Sequence, residues 1–306
     1  MNRFAYREAL TVQEAVDILS REEGGRVIAG ATDVLIRWRQ GAWKPRYVLN
    51  IKRIPGLDAV SYSPETGLSL GTLVTIRTLE RHALVRHCYP ALAQAATAFA
   101  GVQIRNLATV GGNACNASPA GDTLPALLAY GAVCRLVGPA GERLVSLQHF
   151  FQGPGLTTLQ PAELLVELCL PPLPPRTGAL YIKHSPRATM DIAAVGVVSV
   201  VSLGEQDGIC QDVKITLGAV APTVVRAHAA EAVLQGSLVD AARIQQAAQA
   251  ALEDARPIDD IRGTAGHRRV VIAPLVRRTL HYAVQMAQGT ELSLQTQRGL
   301  AVEAIF

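Results

Sequence analysis

Two short stretches of the chain consist almost wholly of small residues: Ile28-Ala-Gly-Ala-Thr-Asp-Val34 and Ala108-Thr-Val-Gly-Gly-Asn113, the second running through a small, polar tail to Asp122. Such side chains leave the backbone exposed. Successive N–H groups can then point into one concavity and hold phosphate oxygens, with threonine and asparagine adding side-chain donors. Two bends of this kind, one early and one about a third of the way along, could grip the two phosphates of a dinucleotide from opposite sides. No lysine is needed, because several amides substitute for a point charge. Asp33 and Asp122 would be repelled by phosphate, so sugar hydroxyls or a turn cap are their natural partners. Each bend alone also reads as an ordinary glycine turn. Neither has the G-x-G-x-x-G or Walker spacing, which weakens the Rossmann and nucleotidase readings.

Other chemistries lack their spacing. The histidines show no H-x-H or H-E-x-x-H pattern, and His82 and His87 fall in a helical region without an acidic partner. Ser118-Pro119 does not form the G-x-S-x-G elbow of a serine hydrolase. Cys88, Cys115, Cys134, Cys169 and Cys210 are dispersed with no C-x-x-C, so they read as free thiols and buried small residues, with no metal site. Trp38 and Trp43 could lie over a cofactor, although core packing is the simpler reading.

The elements that must carry the two bends follow from periodicity. Thr11-Val-Gln-Glu14 has the form of a capping box, and Ala15, Val16, Ile18 and Leu19 give the helix behind it an apolar face. A strand at Arg26 to Gly30 leads into the first bend and a helix, and Arg46 to Ile51 ("RYVLNI") reads as another strand. Val60 to Leu73 reads as a hairpin. Thr75 caps a helix through Leu84, and a second helix follows Pro90. After the second bend come an apolar segment from Leu124, a hairpin from Ala132 to Val145, and a strand in "ELLVELCL". At "LPPLPPRTG" (Leu170 to Gly178) the proline density breaks any sheet or helix and marks a linker. Three strands follow, then helices, the last one after Pro274.

The chain of 306 residues thus predicts two α+β domains: 1–175, with subdomains of about 1–55 and 56–175, and 176–290 built on a three-stranded antiparallel sheet with helices, leaving 291–306 as a tail. Apolar residues make up 49% and charged residues 18%, which is ample for a core and argues against disorder. A scattered net charge of +4 gives no basic block for nucleic acid. No apolar run approaches the roughly 20 residues of a membrane span, and the N-terminus lacks an export segment, so a cytoplasmic location is expected.

"AGATDVLIRWRQG", "IRNLATVGGNACNASPAGDTLPALLA", "YIKHSPRATMDIAAVGV" and "PIDDIRGTAGHRR" together resemble, in order along essentially the whole chain, the FAD-binding medium subunits of the molybdenum hydroxylases: xanthine dehydrogenase, aerobic carbon monoxide dehydrogenase and 4-hydroxybenzoyl-CoA reductase. The resemblance implies a PCMH-type fold, in which two N-terminal subdomains hold FAD and a C-terminal domain closes over it. The family's first phosphate loop falls on Ala29, Gly30, Ala31, Thr32, Asp33 and Val34. Many members carry glycine at the position of Ala31, where a methyl group is tolerable if φ stays negative. The second loop falls on Ala108, Thr109, Val110, Gly111, Gly112 and Asn113, and an FAD-contacting aspartate on Asp122. An apolar residue near the flavin matches Leu165, or Val166 if the alignment slips by one. Lys183 matches a lysine near the flavin ring, where a cation would favour a reduced, negatively charged flavin. Asp191 and Ile192 fall on a segment passing close to the ring.

The resemblance further implies a flavoprotein electron-transfer subunit. Molybdopterin would lie on a large partner subunit and 2Fe–2S clusters on a small one, in a dimer of heterotrimers, and FAD would pass electrons to NAD⁺, a quinone or dioxygen. FAD is expected to be noncovalent. The cysteine-rich insertion of benzoyl-CoA reductase-type subunits is missing after Asp122, so no iron–sulfur centre is expected in this chain. Two other readings stay open: a stand-alone FAD reductase of the same superfamily, such as the one acting on UDP-N-acetylenolpyruvylglucosamine, and a flavin-free scaffold.

Overall fold

The computed structural model describes residues 3–187, 189–204 and 208–290; the expected tail at 291–306 lies outside the described residues. The chain begins with a small parallel sheet. Strands β1 (Ala5–Glu8), β2 (Gly25–Ile28) and β3 (Tyr47–Asn50) lie in the order β1-β3-β2. Helix α1 (Val12–Arg21) joins β1 to β2, and its start is capped: Thr11 Oγ1 accepts from Glu14 N, and the Glu14 carboxylate reaches one residue beyond the strict capping box to accept from Leu10 N. Helix α2 (Val34–Arg39) joins β2 to β3, so the first small-residue bend sits where strand turns into helix.

A five-stranded antiparallel sheet follows, in the order β4-β5-β10-β6-β7, from β4 (Val60–Ser63), β5 (Gly67–Gly71), β6 (Val133–Gly138), β7 (Gly141–Ser146) and the central β10 (Leu164–Leu170). Both expected hairpins are present. Between β5 and β6 run six helices: α3 (Ile76–Arg81), α4 (Ala83–Cys88), α5 (Pro90–Ala98), α6 (Val102–Arg105), α7 (Val110–Asn116) and α8 (Thr123–Ala129). The single helix expected from Thr75 to Leu84 breaks at His82, whose extended backbone ends α3 and opens α4. Helix α9 (Leu147–Phe150) and the short hairpin of β8 (Phe151–Gly153) and β9 (Leu156–Thr157) lead back to β10. The near-continuous apolar run of β10 is explained by burial on both faces. Leu164 and Val166 pack into the core beneath the parallel sheet, whereas Leu165, Leu168 and Leu170 enter the core of the helical layer, with a register shift between Leu165 and Glu167.

The third sheet contains the three expected long antiparallel strands, β11 (Thr177–His184), β12 (Val195–Leu203) and β13 (Cys210–Gly218), with the two-residue β14 (Val225–Arg226) added at its edge. Helices α10 (His228–Leu234), α11 (Ala241–Ala250) and α12 (Ala265–Ala287) cover one face. Ala179, Tyr181, Val198 and Val200 on the other face join the same core as α5 and α8. The last helix starts nine residues before Pro274 rather than after it, because Thr264 caps it by accepting from His267 N. Pro274 removes one backbone bond, to the carbonyl of Val270, and Val270 is exposed to solvent.

Candidate functional site

The two small-residue bends meet. A Cβ placed on Gly30 would lie 2.0 Å from the Leu107 carbonyl oxygen and 2.9 Å from Ala108 Cα, so the first bend rests directly on the backbone leading into the second. Glycine is required here for protein-to-protein contact. Gly111 does the same job on the other side, its missing Cβ being replaced by the Thr72 side chain at 1.8 Å. Gly112 differs: within 4 Å of its Cβ position there is only Thr109 Oγ1, at 2.8 Å, and the residue borders a cavity.

That cavity has a volume of about 350 Å³ and lies between the parallel sheet and the helical layer. Its wall includes every residue of the first bend, from Ala29 to Val34, and from the second segment Ala108, Thr109, Gly111, Gly112 and Asn113. Val110 is fully buried and does not line it. Leu164 and Leu165 lie on the wall and Val166 does not, so of the two candidate positions on β10 only Leu165 reaches the cavity.

The two bends spend their amides differently. The second is the start of a helix: Val110 N donates to Val74 O, Gly111 N to Thr72 O, Gly112 N to Thr109 Oγ1, and Asn113 N to Thr109 O. Residues 108–111 run beside 72–76 almost as a strand pair, including a bridge between Thr75 and Thr109. The expectation that both bends offer a row of free N–H groups therefore fails for this one. Its contribution to the cavity is the bare surface at Gly112. In the first bend the amides of Gly30, Ala31, Thr32, Asp33 and Val34 have no protein acceptor among the described residues. A row of unspent donors on a wall with no lysine is a surface for an anion such as a diphosphate.

Ala31 has φ +59°, in the left-handed region, so the negative φ that would make its methyl group harmless is not adopted. Asp33 lines the cavity, is exposed, and makes no side-chain cap for α2. It is free to meet a hydroxyl.

Asp122 and Lys183, both expected at a cofactor, lie off the cavity wall and bind each other. Lys183 Nζ donates to Asp122 Oδ2 at 2.9 Å, to the Asp191 carbonyl at 2.7 Å and to the Ala98 carbonyl at 3.1 Å. All three ammonium hydrogens are thereby used. Tyr181 Oη donates to the other oxygen of Asp122 at 2.8 Å. Both charged side chains are more than nine-tenths buried. Burial pushes the Asp122 carboxyl above the usual carboxylate range, with Lys183 and Tyr181 opposing; burial and the adjacent carboxylate push Tyr181 well above its ordinary value. This cluster ties β11 to α5 and α8. It reaches the cavity at second hand, through Phe99, the wall residue that follows Ala98, and through Thr123, which follows Asp122 and donates to Oδ1 of the wall residue Asn113 at 2.7 Å. Asp191 and Ile192 are likewise absent from the wall.

Sequence reasoning missed much of the rest of the wall. Arg26 and Trp43 lie on it, with Thr72, Phe99, Gln160 and Glu163. Trp43, which reads from sequence as core, is half-buried beneath two guanidinium groups. Glu163 is held by a two-pronged bond from Arg143, at 2.6 and 2.7 Å, and accepts from Gln160 N; the Arg143 bond chiefly holds its carboxyl below the usual range, against burial. The Cys115 thiol on the wall is pushed up to about 12 by burial and stays protonated. Among the described residues no group of three or more His, Cys, Asp or Glu is placed to hold a metal, and no helix is long and apolar enough to cross a membrane.

A parallel βαβ unit, an antiparallel sheet and a cavity between them lined by unspent amides define a nucleotide-cofactor module, to which a second α+β layer is latched. Known proteins agree. Residues 2–173 match the family described as the FAD binding domain in molybdopterin dehydrogenase, and residues 180–283 the CO dehydrogenase flavoprotein C-terminal domain. The putative xanthine dehydrogenase FAD-binding subunit of Escherichia coli K12 is 29% identical over 286 residues, 93% of this chain and 97% of that one. The 6-hydroxypseudooxynicotine dehydrogenase complex subunit alpha of Paenarthrobacter nicotinovorans is 32% identical over 95% of this chain and 98% of its own length. A chain in the solved structure of the Hydrogenophaga pseudoflava carbon monoxide dehydrogenase lacking the Mo-pyranopterin moiety superimposes with a TM-score of 0.88 at 32% identity, covering 92% of this chain and 97% of that one. The chain belongs to the FAD-binding subunits of the molybdenum hydroxylases, and is a flavoprotein component of a multi-subunit oxidoreductase.

Proposed function

We propose that FAD lies along the cavity, its diphosphate on the Gly30–Val34 turn and its narrowest passage at Gly112. The observation that carries this reading is the run of unspent amides from Gly30 to Val34 on the cavity wall, opposite a glycine that meets only one side chain. Thr32, Thr109 and Asn113 add polar contacts to the same wall, Leu164 and Leu165 give it an apolar face, and Asp33 takes a sugar hydroxyl. Asp122 and Lys183 act on the cofactor indirectly, by fixing the ends of α5 and α8.

Bound FAD supplies the step that one-electron carriers and two-electron acceptors cannot share, taking electrons singly and releasing them in pairs. No acid or base of this chain is needed for that step. The chain's tasks are to bind the dinucleotide, exclude bulk water from its diphosphate and leave the ring open to an acceptor. We place the chain in a cytoplasmic dimer of heterotrimers, between 2Fe–2S clusters of a small subunit and NAD⁺, a quinone or dioxygen, with substrate oxidised at a molybdopterin on a large subunit. The relatives are named for xanthine, a nicotine derivative and carbon monoxide, so the substrate is a property of the large subunit.

The full chain, purified after expression alone, should carry the two-banded flavin absorbance with about one FAD per chain, released intact on denaturation. A colourless chain that ignores added FAD would overturn the reading in favour of a scaffold. Flavin with no capture of a molybdopterin subunit and an iron–sulfur subunit would point instead to a stand-alone reductase.

A further inference from the structure

The cavity wall is held from behind by a residue that does not line it. Arg37, in the last turn of α2, donates through Nη2 to Asn116 Oδ1 at 2.9 Å, across 79 residues of sequence. Its guanidinium also stands over the Trp43 ring, 4.9 Å from the centroid, with Arg26 at the same distance from that ring. The Arg37 carbonyl accepts from Ala42 N at 2.9 Å and Trp43 N at 3.3 Å. Its Nη1 lies 3.7 Å from the Cβ position of Gly155, in the turn between β8 and β9. Trp43, Asn116 and Gly155 are all wall residues, from separate parts of the chain. No carboxylate of the described residues pairs with Arg37.

We infer that Arg37 is the positioning residue of the dinucleotide site: it binds α2, the Trp43 loop and the end of α7 into one wall, and so sets the gap between the Gly30–Val34 turn and Gly112. The chemistry suits arginine. A planar fork can donate in its plane while its face lies on an indole, which an ammonium cannot do. The geometry also suits the task. Arg37 and the donor turn sit at the two ends of the six-residue α2, and Asn116 and Gly112 on the short α7, so one side-chain bond fixes two rigid rods. A gap fixed before binding spares the ligand the cost of ordering it.

This inference rests on the FAD reading above, and the experiment separates the two. FAD dissociation constants are measured by flavin fluorescence on the deflavinated full chain, for the parent, Arg37→Met, Arg37→Lys, Asn116→Ala and the Arg37→Met/Asn116→Ala double variant. We expect Arg37→Met to weaken FAD binding about tenfold and Asn116→Ala about threefold to fivefold, with the double variant no worse than Arg37→Met. Arg37→Lys, which keeps the charge but loses the fork, should stay within about twofold of Arg37→Met. The melting temperature without FAD should stay near the parent's, and only its rise on adding FAD should shrink. Parent-like affinity in Arg37→Met, or losses that multiply in the double variant, would overturn the clamp and leave the FAD reading standing. Should Arg37→Met not fold, parent-like affinity in Asn116→Ala overturns it equally. A parent chain that takes up no FAD would instead remove the reading on which the clamp rests.

Discussion

The bends at 30–34 and 108–113 look alike in sequence and do opposite work. Both are short runs of Gly, Ala, Thr and Asn or Asp at an element boundary. The first keeps its amides unspent and donates them to the cavity; the second consumes its amides on Val74, Thr72 and Thr109 and presents a bare glycine surface. The glycines divide in the same way. Gly30 and Gly111 make room for protein, and Gly112 makes room for something else. A small-residue bend therefore has two uses, donation and clearance, and what decides between them is whether protein acceptors, here Thr72, Val74 and Thr109, lie within reach of its N–H groups.

The contrast can be broken most forcefully at Gly30. A methyl group there meets the Leu107 carbonyl at 2.0 Å, a backbone atom that cannot swing aside, so Gly30→Ala should cost about 3 kcal/mol of stability and flavin with it. A urea midpoint like the parent's would show that the bends do not rest on each other. Gly112→Val comes next. It should lower stability by only about 1 kcal/mol, through displacement of the Thr109 capping hydroxyl, yet raise the FAD dissociation constant about a hundredfold or more, so that the chain is purified without flavin. Retained, stoichiometric FAD in that variant would refute the clearance role. The smallest effect has the opposite sign. Ala31→Gly removes a left-handed alanine worth about 1–2 kcal/mol of strain and adds about 0.4–1 kcal/mol of chain entropy, leaving a net gain of about 0.5–1 kcal/mol in chemical denaturation. A loss of stability there would mean that the methyl group packs favourably.

The sequence was most legible where local chemistry decides structure. The Thr11 cap of α1, both hairpins of the central sheet and the three long strands after the prolines are all present. Pro274 misled, because its missing donor matters only where the partner carbonyl is buried, and Val270 is on the water side. The site was legible in part. Small residues mark a bend, but not whether its amides are free, which here depends partly on the Thr72–Val74 segment more than thirty residues earlier. Lys183 carries no local sign that Asp122, Asp191 and Ala98 will claim all its hydrogens. Trp43 could lie over a cofactor but reads more simply as core, and Arg37 gave no signal at all, since its bond to Asn116 joins the last turn of α2 to the far end of α7.

The wall of the cavity, from Leu19 to Leu165, lies wholly ahead of β11 in the chain. During translation the whole cavity wall is therefore encoded in emerged polypeptide before the sheet that carries Lys183 has been made. On the proposed placement of FAD, loading of the flavin need not wait for that sheet, and the buried Asp122–Lys183 bond then latches the sheet to α5 and α8 behind a pocket already filled.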